Sequence, residues 1–361
     1  MACAGAWLTA AATAAAAEPS TRQVPLPPGL ASVWRVDGRM LDSRAAAWST
    51  VAFSTDGKLV GVSDDRGTRV YRAGDGGLVR SFPAPFSMGQ FTFSVAISSA
   101  GHVAVGRVGG IEVHALEELG EPLKFQCGGV CGPVSAIAFS PDGAWLAYQS
   151  VGGSLDSARG LVNVVDVRAR ARVVQLEASA TRAGVMFAPD GRTLVAANTT
   201  RVDDVGTFGV VRFSRDAEWQ RARGDVPGAQ VPRGSVGPYA FTERAAAYAR
   251  DGSVELRDLA TGALLWAQPF VPPGLDSTAD VAMKLDLVAL SPRGELVLDF
   301  ESPVSGDAPG ALVLRRLQDG SVIAMYDVVG VSALAFAPDG ETFAYSTGAG
   351  RTYTVVAQVP R

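Results

Sequence analysis

The stretch Ile137–Gly143, IAFSPDG, decides the fold of this 361-residue chain. Ile137 and Phe139 alternate with Ala138, so the large side chains share one face of a predicted β-strand. Pro141 fixes its own φ and Gly143 accepts a positive φ, so Ser-Pro-Asp-Gly predicts a tight reversal into a second strand. A repeated unit of this kind determines the architecture, because each copy needs neighbours to cover it.

The segment occurs seven times along the chain. The copies are VAFSTDG from Val51, VAISSAG from Val95, IAFSPDG from Ile137, VMFAPDG from Val185, YAFTERA from Tyr239, VALSPRG from Val288 and LAFAPDG from Leu334. Their starts are 44, 42, 48, 54, 49 and 46 residues apart. Solenoid repeats are usually shorter, whereas four-stranded propeller blades take roughly 40–50 residues. The spacing therefore predicts an all-β chain, a seven-bladed β-propeller of four-stranded antiparallel blades.

The last copy leaves room for only three strands before Arg361, so an N-terminal strand has to complete the final blade. Ser32–Ser43, SVWRVDGRMLDS, predicts a strand, an Asp-Gly turn and a second strand. We expect Arg39–Ser43 to close the ring, with Val33–Val36 as the alternative, because closure removes open sheet edges. Residues 1–30 then form an N-terminal segment and residues 31–361 the propeller. A pair of β-sandwiches is the competing architecture.

The repeats resemble those of the WD-repeat and WD-like β-propeller superfamily over nearly the whole chain beyond residue 30. Asp166 and Asp258 stand where that family has its Trp-Asp pair, but the tryptophan is absent, and so is the family's Gly-His pair. The resemblance implies the fold, and it does not carry over the hydrogen-bond network that those residues form. Leu256–Trp266 also looks like the repeat of quinoprotein-type propellers. We interpret it as a Thr-Gly turn followed by Trp266 packed between blades.

Composition excludes several classes of partner. The chain has 32 Lys and Arg residues against 36 Asp and Glu, a formal charge of −4, so nothing indicates the basic surface that nucleic acids need. Apart from the N-terminal segment, no stretch approaches the ~20 apolar residues of a membrane span. Three cysteines and two histidines are too scattered to predict a metal site, and no cofactor is expected. Cys127 and Cys131 are read as a small disulfide loop or as two free thiols.

The N-terminus, MACAGAWLTAAATAAAAEPS, resembles the apolar core and cleavage region of a secretory signal, although it lacks a positively charged start. Met-Ala-Cys also looks like the end of a bacterial lipoprotein box, in which case Cys3 carries a lipid and tethers the protein to a membrane. We expect an extracytoplasmic protein, periplasmic or secreted and in the tethered case lipid-anchored. A disordered Ala-rich tail on a cytoplasmic protein is the alternative.

The loops are distributed unequally between the two rims of the predicted ring. Turns between first and second strands and between third and fourth strands are uniformly short. The other rim carries the expected long loops Gly152–Gly160, Thr199–Thr207 and Ser302–Gly310, and the expanded links Gly224–Gly237 and Pro269–Lys284. Long loops on a rigid ring are a plausible binding surface. Its candidate binding residues are Asp156, Arg159, Arg201, Asp203, Asp204, Arg233, Asp276 and Asp307.

These features predict a monomeric, non-enzymatic interaction module that binds a protein or peptide on its long-loop face. No catalytic residues are assigned, because neither a nucleophile elbow with a matching histidine nor a known metal loop is present. The alternative is a propeller enzyme, a quinoprotein or a metal-assisted hydrolase, with its site at the central channel. If the long loops have no function, neutral drift explains their length, because lengthening a surface loop costs little entropy.

Overall fold

The computed structural model describes residues 26–40, 50–64, 67–83, 94–118, 120–126, 131–152, 159–178, 184–202, 205–221, 229–231, 239–250, 252–271, 283–304, 309–348 and 351–360. These residues form seven separate antiparallel sheets. Their only helical element is a single 3-10 turn, Arg215–Ala217. The predicted all-β, seven-bladed propeller is confirmed.

Blades 1 to 6 take their strands in chain order from the axis outward, and the first strands of most neighbouring blades contact one another. Blade 1 comprises β2 Thr50–Phe53, β3 Leu59–Asp64, β4 Gly67–Arg72 and β5 Leu78–Pro83. Blade 2 comprises β6 Ser94–Ile97, β7 His102–Arg107, β8 Gly110–Ala115 and β9 Leu123–Gln126. Blade 3 comprises β10 Cys131–Phe139, β11 Trp145–Gly152, β12 Arg159–Asp166 and β13 Ala171–Ala178. Blade 4 comprises β14 Val185–Phe187, β15 Thr193–Val202, β16 Val205–Ser214, β17 Gln220–Arg221 and β18 Ala229–Val231.

The remaining three blades complete the ring. Blade 5 comprises β19 Tyr239–Phe241, β20 Ala245–Arg250, β21 Ser253–Asp258 and β22 Leu264–Pro269. Blade 6 comprises β23 Met283–Leu290, β24 Leu296–Pro303, β25 Gly310–Arg316 and β26 Val322–Val328. Blade 7 comprises β27 Val331–Phe336, β28 Thr342–Thr347, β29 Arg351–Gln358 and the N-terminal β1 Ser32–Met40.

The ring is closed by β1, which pairs antiparallel with β29 along the outer edge of blade 7. Trp34 lies opposite Val356 and Met40 opposite Arg351. The expectation that Arg39–Ser43 closes the ring is therefore wrong, and the closing strand contains the alternative Val33–Val36. The chain does not reverse direction at Asp37-Gly38. One continuous strand runs through these residues, with an irregularity in register between Asp37 and Met40 that accommodates the glycine.

The repeated segment forms the same turn in blades 1, 3, 4, 6 and 7, whereas the turn is shorter in blades 2 and 5. In blade 3, Gly143 N–H donates to Ser140 O at 2.8 Å, and Gly143 has a φ of +70°. The buried Ser140 hydroxyl accepts from Trp145 N–H at 2.9 Å and donates to Asp142. That bond from Ser140 lowers the pKa of Asp142. The turn thus satisfies its own polar groups, so both strands can enter the packed interior.

Buried apolar clusters lie between blades, which explains why both faces of each first strand are covered. Val51, Val60 and Val62 of blade 1 pack on Ala333 and Ala344 of blade 7. The opposite face of blade 1 presents Val70 and Phe82 to a set of blade 2 residues, Val95, Ile97, Val103 and Val105. The described core is therefore a circle of seams between neighbouring sheets.

Blade 4 departs from the four-strand plan. β15 and β16 have ten residues each, whereas the second strand has six in blades 1, 2 and 5. The outer position is shared by β17, which pairs near Ser214, and β18, in which Gln230 lies opposite Thr207. The four extra residues carry the hairpin about 13 Å beyond the shorter blades, at roughly 3.3 Å per residue.

Two tryptophans join neighbouring blades at their outer edges. Trp266 of β22 donates from Nε1 to Leu317 O of blade 6 at 2.6 Å. Trp34 of β1 donates in the same way to Ala73 O of blade 1 at 2.7 Å. The predicted packing of Trp266 between blades is confirmed. Each indole lies under a glycine of the adjacent turn, since a Cβ added at Gly320 would be 2.8 Å from Trp266 Cε3.

We expect Gly320→Ala to destabilise the ring more than Gly294→Ala. Both glycines have a φ of +72°, so both substitutions carry the same left-handed penalty of about 1 kcal/mol. At Gly294 a Cβ meets nothing within 4 Å, whereas at Gly320 it meets the rigid Trp266 ring. The clash should add about 1–3 kcal/mol to the loss in the free energy of unfolding, measured by urea denaturation. Equal losses in the two variants would contradict the close packing of Trp266.

Candidate functional site: the loop rim

The two rims of the ring differ in construction. The rim that carries the turns between first and second strands and between third and fourth strands is called the turn rim. The rim that carries all other connections is called the loop rim. On the turn rim, neighbouring blades are bonded together, since Ser99 N–H of blade 2 donates to Thr55 Oγ1 of blade 1 at 3.0 Å. Thr55 N–H in turn donates to Ile97 O at 3.2 Å. The turns of this rim are fixed by bonds to one another.

The expectation that Thr199–Thr207 forms a long loop on the loop rim is wrong. These residues belong to the β15–β16 hairpin, in which Val202 pairs with Val205 and only Asp203-Asp204 intervenes. Its β-branched residues favour strand pairing over an open loop. The other two expected loops are shorter than predicted: β11 reaches Gly152 and β12 starts at Arg159, while β24 reaches Pro303 and β25 starts at Gly310.

Few of the candidate residues predicted from sequence fall on described positions. Arg159 and Cys131 both pair with Gly152, so blade 3 brings them together at the loop rim. Arg201 pairs with Gly206 in the blade 4 hairpin. The remaining candidates lie outside the described residues, and their roles stay predictions: Asp156, Asp203, Asp204, Arg233, Asp276, Asp307, Cys3 and Cys127.

Ion pairs recur where second and third strands meet the loop rim. Arg107 Nε lies 2.8 Å from Glu112 Oε2, and Asp64 contacts Arg69. In both blades the two charged residues are five positions apart and flank a two-residue connection. His114 Nε2 lies 3.7 Å from the same Glu112 oxygen, and this contact together with Arg107 lowers the pKa of Glu112 to about 2. The five-residue spacing of opposite charges is a signal that our sequence analysis missed.

A buried charge cluster lies in the seam between blades 5 and 6. Arg315 donates from Nε to Asp299 Oδ2 at 2.8 Å and from Nη2 to Glu301 Oε1 at 2.7 Å. All three side chains are at most 2% exposed. Two carboxylates against one guanidinium leave one negative charge in excess, and Asp299 Oδ1 accepts no hydrogen bond. Burial away from water, together with the neighbouring charge of Glu301, raises the pKa of Asp299 to about 7.

The cluster also fixes the start of a link on the loop rim. Glu301 Oε2 accepts from the backbone N–H of Val271, and Arg315 donates to Pro269 O at 3.5 Å. Val271 is the last described residue before the expanded link between blades 5 and 6, which contains Asp276. The buried charges therefore hold the point from which a predicted binding segment departs.

A polar group lies on the innermost strand of blade 6, near the loop rim. Lys284 Nζ is 3.0 Å from Asp286 Oδ1, and Ser302 donates to the other oxygen of the same carboxylate. Asp286 occupies an irregularity in register between β23 and β24. The described residues contain no group of three or more His, Cys, Asp or Glu side chains that could hold a metal ion. In the described part of the chain, no helix has the length and apolar character to cross a membrane.

Comparison with known proteins supports the resemblance read from the repeats. The family described as WD domain, G-beta repeat matches residues 121–157. A chain of the structure titled "Crystal Structure of Mitotic Checkpoint Complex" aligns over 95% of this chain and 96% of its own length, with a TM-score of 0.59 and 16% identity. The chain thus shares the β-propeller fold with that structure, and one stretch of it matches the WD repeat. Curated protein sequences yield no match.

The two aspartates that stand in the place of the Trp-Asp pair of WD repeats bond locally. Asp258 Oδ1 accepts from Ala260 N–H at 2.9 Å and from Thr261 N–H at 2.7 Å, within its own turn. Asp166 Oδ1 likewise accepts from Ala169 N–H at 2.8 Å. These carboxylates therefore stabilise turns.

We expect the contribution of Asp299 to the free energy of unfolding to fall as pH rises from about 4 to 7. Because the pKa of Asp299 is raised from its ordinary 3.8 to about 7, the folded state holds a proton that the unfolded state has lost. The contribution is at most about 1.4 kcal/mol per pH unit, and it levels off above pH 7. Asp299→Asn should remove it from a series of unfolding measurements at different pH.

Asp319→Asn is the matched control for that series. The hydroxyl of Ser321 donates to Asp319 and lowers the pKa of Asp319, so this carboxyl titrates below the window in question. The control should keep the wild-type slope between pH 4 and 7. If Asp299→Asn also kept that slope, Asp299 would not be the group that binds the proton.

Proposed function

We propose that this propeller is a non-catalytic interaction module whose loop rim binds a protein or a peptide. The observation that carries the proposal is the unequal height of the blades at that rim. Second strands have six residues in blades 1, 2 and 5, eight in blades 3 and 6, and ten in blade 4. All the extra strand length lies at the loop rim, which gives that rim a surface of uneven height.

Exposed apolar side chains on the same rim support the proposal. Val108 in the connection of blade 2, Val304 in that of blade 6 and Val329 in the link to blade 7 are 50%, 58% and 50% exposed. Apolar side chains that contribute to a binding surface gain free energy when a partner removes them from water, about 25 cal/mol per Å². Because the blades fix these positions relative to one another, binding would cost little ordering entropy.

The charged side chains described near the loop rim are engaged with one another, which supports binding over catalysis. Asp286 is already paired with Lys284 and bonded by Ser302, so its charge is satisfied within the protein. Arg107, Glu112, Arg315 and Glu301 are likewise held in ion pairs. General acid–base work needs a group free to exchange a proton with a substrate. Groups that neutralise one another instead stiffen the rim.

We expect shortening of the blade 3 connection to abolish partner capture while the ring stays folded. In the variant, residues 153–158 are replaced by Asn-Gly, which closes a two-residue hairpin like those of blades 1 and 2. Wild type and variant are used for affinity capture from the native organism, with bound proteins identified by mass spectrometry. A partner recovered by the wild type should be lost by the variant, whose melting temperature should change little.

Lys58→Glu is the control on the opposite face. Lys58 lies on the turn rim, and its side chain is 80% exposed. This reversal of charge should leave capture unchanged. If Lys58→Glu lost the partner while the shortened variant kept it, the binding surface would lie on the turn rim. That result would refute the proposal.

A further inference from the structure

The outer strand of blade 5, β22, is bonded to blade 6 by two kinds of contact. The first kind joins uncharged groups to the turn that precedes β26. Trp266 Nε1 donates to Leu317 O at 2.6 Å, and Gln268 Nε2 donates to Asp319 O at 3.0 Å. Neither an indole nor a side-chain amide titrates over the range in which carboxylates ionise, so these bonds should not respond to pH directly.

The second kind of contact joins the end of β22 to buried charged side chains of blade 6. Glu301 Oε2 accepts from Val271 N–H, and Arg315 Nη2 donates to Pro269 O at 3.5 Å. The same Arg315 nitrogen donates to the other Glu301 oxygen at 2.7 Å. An ion pair therefore holds Pro269–Val271, the end of the strand and the start of the link to blade 6.

Asp299 is the third charged group in this seam. Val297, Asp299 and Glu301 alternate along β24, so their side chains share the face that packs on blade 5. That face also carries Arg315, whose Nε donates to Asp299 Oδ2 at 2.8 Å. The blade 5 residues in the seam are apolar, namely Ala245, Ala247, Val254 and Leu256.

Other described charged residues of the two blades lie on opposite faces. On β21, Glu255 alternates with the seam residues and pairs with Arg257 at 3.0 Å, on the side away from blade 6. On β23, Lys284 pairs with Asp286 and lies opposite Ser302, on the other face of the sheet from Glu301. Within the described part of the chain, the charges that act on Asp299 are those of Arg315 and Glu301. Asp251 lies outside the described residues.

The number of charges in the seam decides how firmly blade 6 holds Pro269–Val271. With Asp299 protonated, one carboxylate faces one guanidinium, and the buried pair is neutral. With Asp299 ionised, two carboxylates share Arg315 among apolar neighbours, and an uncompensated buried charge is costly. Water that enters the seam relieves this cost, and it then replaces the bonds that Glu301 and Arg315 make to the blade 5 backbone.

We propose that the Asp299–Glu301–Arg315 cluster is a proton-operated latch between blades 5 and 6. Protonated Asp299 keeps Pro269–Val271 bonded to blade 6. Ionised Asp299 favours release of that segment, while the bonds of Trp266 and Gln268 persist. The latch goes beyond the proposed function, because it acts between two blades whether or not the loop rim binds a partner.

The direction of the pH response follows from the two states of the latch. Burial raises the pKa of Asp299 to about 7 in the latched state, whereas an aspartate in contact with water has the ordinary value of 3.8. The latch is therefore strongest below about pH 4, weakens as pH rises, and weakens no further once pH exceeds about 7. Between pH 5 and pH 8 the ratio of released to latched molecules should rise by at most about a hundredfold.

The test measures exchange of the Val271 N–H with deuterium at pH 5 and pH 8, by mass spectrometry with fragmentation to single residues. After correction for the intrinsic exchange rate, protection of Val271 in the wild type should be at least tenfold lower at pH 8. Local release exposes little surface, so about 1 M urea should leave Val271 exchange at pH 8 unchanged. The Leu317 N–H, bonded to Glu295 O at 2.7 Å, reports on opening of the ring as a whole.

Asp299→Asn should make the protection of Val271 equal at the two pH values, because asparagine keeps an oxygen for Arg315 and cannot ionise. Asp319→Asn is the matched control and should respond as the wild type does. The Ser321 hydroxyl lowers the pKa of Asp319, so this carboxyl is ionised throughout the range. If Asp299→Asn unfolds, as its melting temperature would reveal, the wild-type measurements decide alone.

Three results would overturn the latch. The first is equal protection of Val271 at pH 5 and pH 8 in the wild type. The second is a fall in protection that folded Asp299→Asn shows as well, since another group would then bind the proton. The third is a fall that urea deepens for Val271 and Leu317 alike, because the ring would then open as a whole.

Discussion

The rest of the structure depends on each blade burying both of its faces against its neighbours. A four-stranded sheet of this composition cannot stand alone, because its two faces are apolar. Pairing of β1 with β29 closes the circle, so every described seam has a sheet on each side. The Trp34 and Trp266 indoles then bond across outer edges, where the blades diverge and apolar packing thins.

Close packing of sheets also determines how polar groups are arranged. Hydroxyl pairs such as Ser63 with Thr68 and Ser346 with Thr354, each at 2.7 Å, lie within a single blade. A buried polar group without a partner costs more than the net gain of a typical hydrogen bond, so partners come from the adjacent strand. The Asp299–Arg315–Glu301 cluster follows this rule incompletely, since one carboxylate oxygen accepts no bond. That excess charge makes the seam between blades 5 and 6 sensitive to protons.

The two rims differ in how uniform their connections are. On the turn rim, each repeat bonds its own turn and contacts the next, which leaves little freedom for variation. On the loop rim, strands end at different heights, and the β15–β16 hairpin of blade 4 extends furthest. Under the proposed function, the bonded turn rim would fix the positions of the binding residues on the loop rim before a partner arrives.

The sequence by itself determined the number of blades, their strand order and their turns, because those features repeat and depend on neighbours within a few residues. It also located Trp266 between blades. Tertiary structure alone decided that Ser32–Met40 closes the ring, since its choice over Arg39–Ser43 depends on register against residues more than 300 positions away. The same holds for the blade 4 hairpin, whose Thr and Val residues suit a strand only when β18 covers it. The partners of Asp299 and Arg315 likewise come from separate strands and a neighbouring blade. Local patterns specify local structure, whereas pairing between distant segments is decided by which surfaces the closed ring brings together.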